Sequence, residues 1–149
     1  MKLSKIIFLI VFMCPVVQAL SQSYTDYIVI DEFVENISDL QTEFANQANV
    51  YWIEETSSSA IEQISKAAEN LQIQNLHIYV STKPGAIVFS SIAITGKNID
   101  DLAVQLSAWS RAVSDQVLIH SEVVFSGEEG NLLKQRLEEI TGVVFTTQN

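Results

Sequence analysis

With 149 residues, the chain has room for one domain and a targeting segment. Lys plus Arg number 8 against 18 Asp plus Glu, a formal net charge of −10 that repels phosphate backbones and anionic lipid surfaces and sets nucleic-acid binding aside. The only cysteine is Cys14, so no intramolecular disulfide can form.

Residues Met1 to Ala19 read as a secretory signal peptide. Lys2 and Lys5 make a positive start, Ile6 to Met13 is an unbroken apolar run, and Val17-Gln18-Ala19 supplies the residues read at a cleavage site. The apolar run is too short for a membrane span, which takes about 20 residues. No stable membrane insertion is therefore expected after cleavage, and the expected location is secreted or periplasmic. Cleavage after Ala19 discards Cys14, takes Lys plus Arg from 8 to 6 against 18 acidic residues, and moves the net charge to −12. Residues 20–149 then form a single α/β domain with no thiol, held by its core alone.

Past a polar lead-in at Gln22 to Asp26, short apolar runs alternate with longer periodic stretches. Tyr27 to Ile30 predicts a strand ending at Asp31, and Ile37, Leu40 and Phe44 recur at helical spacing. Val50 to Ile53 predicts a second strand. The face Ile61, Ile64, Ala68 and Leu71 predicts a second helix, with N-cap candidates in Thr56 to Ser59. Leu76 to Val80 predicts a third strand, and Lys83-Pro84-Gly85 a turn. Ala86 to Phe89 and Ile92 to Ile94 predict a hairpin about Ser90-Ser91. A third helix starts at Asn98 or Asp100 and turns Leu102, Leu106, Trp109 and Val113 inward. Val117 to Phe125 predicts a long fourth strand, broken by Gly127 to Gly130. Leu133, Leu137 and Ile140 mark a fourth helix, closed by Gly142 before a last strand at Val143 to Thr147.

Strands alternating with helices predict a three-layer α-β-α sandwich with a mainly parallel sheet. Function in such sheets gathers beyond the carboxyl ends of the strands. Those ends hold Asp31-Glu32, Glu54-Glu55, Ser81-Thr82 and the stretch from His120 to Val123. The two acidic pairs read as helix-start charges rather than paired catalytic acids. No glycine-rich phosphate loop is present, and no cofactor is expected.

Several short pieces, in order, carry a resemblance. They are Tyr27-Ile-Val-Ile-Asp31, Ile61-Glu-Gln-Ile64, Leu76-His-Ile78 with Pro84-Gly-Ala86, Asp115-Gln-Val-Leu118, Gly127-Glu-Glu-Gly130 and Leu137 to Gly142. With them the chain from Tyr27 onward resembles a bacterial family, domain of unknown function 4347, whose relatives include caspase-like and gingipain-like cysteine peptidases. The resemblance implies a caspase-like scaffold with a histidine after the third strand and a cysteine after the fourth. Here the histidine position falls on Ser81, with Thr82 where a glycine usually follows. The cysteine position falls on Ser121 or Glu122.

Cysteine peptidase chemistry needs a thiolate and a base, and the chain from residue 20 onward contains no thiol. The expectation is a pseudoenzyme whose vestigial positions are Ser81, Ser121 and Glu122, and whose partner is an unidentified protein or peptide. The alternative is a hydrolase using Ser121, or a metal held by His77 and His120 with Glu122 as a third ligand. His77, some four residues before its strand end, is expected to pack against a helix. His120 and Ser121, adjacent on a strand, are expected to point to opposite faces.

Overall fold

A computed structural model describes residues 21–56 and 58–148. The proposed signal segment and Cys14 lie outside the described residues. The chain forms β1 (Gln22–Ile30), α1 (Ile37–Glu43), β2 (Val50–Trp52), α2 (Ala60–Ala68), β3 (Leu71–Tyr79), β4 (Ser81–Lys83), β5 (Ala86–Val88) and β6 (Ala93–Thr95). A 3-10 turn at Ile99–Leu102 leads into α3 (Ala103–Ser107) and α4 (Trp109–Ala112), then β7 (Val113–His120), α5 (Gly127–Thr141) and β8 (Val144–Gln148). Among the described residues no helix is long and apolar enough to cross a membrane.

The main sheet has five strands, ordered β2-β1-β3-β7-β8 and parallel throughout. The expected α/β class and mainly parallel sheet are present, with helices on both faces. The two faces differ. Val29, Leu76, Ile78, Val117, Ile119 and Phe145 are buried against α2, α3, α4 and α5, with Ile61, Ile64, Leu106, Trp109 and Leu133 as the helical partners. Each such side chain, fully withdrawn from water, contributes about 1.5–3 kcal/mol. On the opposite face Ile28 and Ile30 pack with Leu40 of α1 and Phe44 just beyond it, in a much smaller cluster.

Several boundaries differ from the sequence reading, the larger ones each for a physical reason. β1 begins at Gln22 rather than Tyr27, because backbone pairing with Leu71 to Asn75 of β3 needs no apolar side chains. Leu71, read as helical, opens β3; Ile73 and Leu76 are both buried three residues apart, and the ladder to β7 shifts register between Ile73 and Asn75, so period two fails there. The third helix is a 3-10 turn and two short helices. Leu106 and Trp109 are buried as expected, and Val113 turns extended to open β7. β7 ends at His120 instead of running to Phe125, because the Ser121 hydroxyl accepts from the backbone N–H groups of Val123 (3.1 Å) and Val124 (3.2 Å) and curls the chain off the sheet. Nor do Gly127 to Gly130 form a break: α5 starts there. A Cβ on Gly130 would sit 2.4 Å from the Phe125 carbonyl carbon, so this glycine permits a close approach.

The expected hairpin is present as β5 and β6. It gains an unforeseen third strand, β4, through the Lys83-Pro84-Gly85 turn, where Gly85 takes φ 72°. The Gly142 cap is as expected, at φ 68° with its N–H donating to the Glu138 carbonyl.

Candidate functional site

The carboxyl ends of the main strands open onto a cleft of about 540 Å³. Val34, Glu35 and Asn36 from the β1–α1 connection form one wall. Tyr79 to Thr82 at the end of β3, His120 to Val123 at the end of β7, and Gln148 of β8 form the rest. The position follows from topology. The chain leaves β1 toward one face and β2 toward the other, and successive connections part at the carboxyl ends of β1 and β3. Ser81, Ser121 and Glu122, the positions that the sequence singles out, therefore line one cleft, and His120 joins them.

Ser121 is buried and fully engaged. Its oxygen accepts from two backbone N–H groups, which occupies both lone pairs, so its hydrogen goes to Thr82 Oγ1, 2.6 Å away. Among the described residues no hydrogen bond joins it to either histidine. A hydroxyl without a base and without a free lone pair is a poor nucleophile. Ser81 donates to the Phe33 carbonyl at 3.3 Å. Glu122 is exposed and enters no ion pair or hydrogen bond among the described residues.

His77 does not pack against a helix. It lies on the thinly covered sheet face with its side chain 18% exposed, between Asp26 and His120. Asp26 Oδ1 lies 3.1 Å from His77 Nε2, and His77 Nδ1 lies 3.2 Å from His120 Nε2. An ionised carboxylate only accepts, which places a proton on His77 Nε2, while the direction of the His77 Nδ1–His120 Nε2 bond follows the tautomers of the two rings. The Asn75 amide, and after it the His77 ring, hold the Asp26 carboxyl below its usual range. Burial, aided by nearby His77, lowers His120 to about 4, so its ring is neutral near pH 7. His120 also stacks on Tyr79 at 3.7 Å between ring centres.

The two histidines thus meet, as a metal site would require, but Glu122 does not join them. Among the described residues no three His, Cys, Asp or Glu side chains gather at metal-holding distance. The acidic pairs do not supply the helix-start charges expected of them. The first turns of α1 and α2 carry Asp39 and Glu62 instead. Asp31 is fully buried at the tip of β1 and accepts from Ser90 N, Ser90 Oγ and Phe33 N, each at 3.0 Å, which ties the β5–β6 hairpin to the sheet. Glu54 is clasped through its backbone by the buried Gln63 side chain.

Asp26 carries little signal of its own in the sequence because it sits in the polar lead-in. Period two from Ile28 and Ile30 was the available signal, since it places Asp26 on their face. Asn75, Gln116 and Thr146 continue the same polar strip by side-chain hydrogen bonds across β3, β7 and β8.

No curated protein and no solved structure matches this chain. A family model does match, over residues 27–149, which takes in every strand end that lines the cleft. The chain belongs to the family described as Domain of unknown function (DUF4347).

Proposed function

We propose that this is an exported, non-catalytic binding module that takes a protein or peptide partner in the cleft at the carboxyl ends of its strands. The signal-like residues 1–19 support export. The resemblance to caspase-like and gingipain-like peptidases supports an inherited cleft whose dyad positions have changed to Ser81 and to Ser121 or Glu122. The observation that carries the reading is the engagement of Ser121. Both its lone pairs and its hydrogen serve the Val123, Val124 and Thr82 contacts that shape the cleft wall. A nucleophile must be free to leave such contacts and reach a base. Here the residue works as a clasp.

The test is a fluorogenic peptide library incubated with the purified protein at neutral pH. The expected result is no turnover above buffer, for the wild type and for Ser121→Ala alike. Turnover that Ser121→Ala abolishes overturns the reading in favour of a serine hydrolase. Turnover that survives Ser121→Ala but is lost on chelation overturns it in favour of a metal enzyme.

A further inference from the structure

The chain contains two histidines, 43 positions apart, and the fold brings them nitrogen to nitrogen. β3 and β7 are neighbours, His77 is level with Leu118, and His120, two positions on, shares its face. His77 Nδ1 and His120 Nε2 stand 3.2 Å apart. A copper or zinc ion takes each imidazole nitrogen at about 2.0–2.1 Å, so two nitrogens on one ion stand about 2.9 Å apart at a right angle and about 3.4 Å apart at the tetrahedral angle. The observed separation lies between the two. A second feature points the same way. On the far side of the His77 ring, Nε2 lies 3.1 Å from Asp26 Oδ1, and the Asn75 amide donates to the same oxygen at 3.0 Å. A carboxylate behind the ring is a common support of a metal-ligating histidine. It keeps the proton of the neutral ring on the outer nitrogen and makes the inner lone pair more basic. Tyr79 stacks on the His120 ring, so both rings are held before any ion arrives.

We propose that His77 Nδ1 and His120 Nε2 together bind one divalent late first-row transition-metal ion, copper(II) before zinc, with Asp26 as the positioning residue behind His77. This goes beyond the binding-module reading and does not depend on it. Among the described residues no three-ligand cluster gathers, so the chain supplies two direct ligands and water completes the shell. Copper ranks above zinc because nitrogen sites follow that order of affinity. The pair binds as two neutral rings, and burial keeps His120 neutral near pH 7. A proton on His120 Nε2 moves to Nδ1, which has no hydrogen-bond partner among the described residues and is not buried. No proton is then lost overall. A small tilt of each ring turns both lone pairs toward one point. The excess of acidic residues, 18 against 8 basic ones, draws cations to the surface.

The probe is copper(II) alone, titrated into purified, tag-free protein carrying Cys14→Ser, which removes the only thiol wherever the chain is cleaved. Electron spin echo modulation from the remote ring nitrogen counts the bound imidazoles, and the chain contains only these two. One equivalent bound through two imidazoles is expected, and zinc should displace it only in excess. His77→Gln and His120→Gln should each leave a single imidazole on the ion. Asp26→Asn should keep both imidazoles and weaken binding roughly tenfold, the effect of losing the carboxylate behind a ligand. Glu62→Gln, on α2, removes the same charge and should change neither spectrum nor affinity. Circular dichroism checks that each variant is folded, and either histidine variant alone decides the outcome. Copper bound without imidazole, or a spectrum unchanged by the histidine variants, overturns the proposal, because the acidic surface then holds the ion. Absence of binding overturns it too and leaves the pair as a hydrogen bond. Equal affinity of Asp26→Asn and Glu62→Gln overturns the role given to Asp26. None of these outcomes touches the non-catalytic reading, which rests on the turnover assay.

Discussion

The two faces of the main sheet are built from the same five strands, yet they are stabilised by different forces. One face buries Val29, Leu76, Ile78, Val117, Ile119 and Phe145 under α2 to α5. The other buries Ile28 and Ile30 under α1, then passes within a few strand positions to Asp26, His77 and His120, joined by hydrogen bonds. Strand alternation makes this possible, since neighbouring residues on β1, β3 and β7 serve opposite faces independently. The thickly covered face holds the strands in register. The thin face is spared that duty and carries polar groups that a dry interior would penalise. The cleft lies at the end of both, so its walls inherit rigidity from the first and chemistry from the second.

Trp109→Ala puts the comparison to its largest test. Trp109 is 1% exposed and donates from Nε1 to Ser65 Oγ at 3.2 Å. Its truncation leaves a large cavity under the thick face and should cost about 3–5 kcal/mol in urea denaturation. Leu40→Ala probes the thin face. Leu40 is 4% exposed, but its cluster is small and lies near solvent, where neighbours can close in, so about 2 kcal/mol is expected. Equal losses for the two variants would break the distinction between the faces.

The smallest effect concerns pH. His120 titrates at about 4 in the folded chain against an ordinary 6.5, so between these values the unfolded chain binds more protons. Stability is therefore full above about pH 6.5 and falls as the pH drops through 4. Asp26, held below 3.8, extends the loss to still lower pH. Unfolding free energies from urea titrations at pH 7.5, 5.5 and 4.5 should decline by on the order of 1 kcal/mol in total, since the His120 ring is only half-buried. His120→Gln should flatten that slope whatever it does to absolute stability. An unchanged slope would place the titration elsewhere and remove His120 from the account of the thin face.

Much of this architecture is legible in the residues. Runs such as Tyr27 to Ile30 and Leu76 to Val80 announce buried strands, and Leu133, Leu137 and Gly142 announce the last helix and its end. The parallel order follows once strands and helices alternate. The carboxyl-end location of Ser81 follows too, because it comes directly after an apolar run, whereas Ser121 and Glu122 lie inside the run read as one strand and reach the carboxyl end only because the chain turns at Ser121. Less legible were the polar stretches that pair through backbone alone, as at Gln22 to Asp26. Side-chain pattern is silent about a strand whose side chains face water on both sides. The three-stranded β4–β6 sheet was half visible, since Ser81 to Lys83 has no apolar signature of its own.

The residues alone determine that no thiol follows position 20, that the chain is strongly acidic, and that an α/β domain must form around its apolar periodicity. Those properties are additive over the chain and need no knowledge of neighbours. Only the tertiary structure decides what each polar group does, because that depends on partners distant in sequence. Asp26 meets His77 across 51 positions, Asp31 meets Ser90 across 59, and Ser121 meets Thr82 across 39. Ser121, one of the two residues that the resemblance sets at its nucleophile position, becomes in the fold the residue that ends β7 and shapes the cleft.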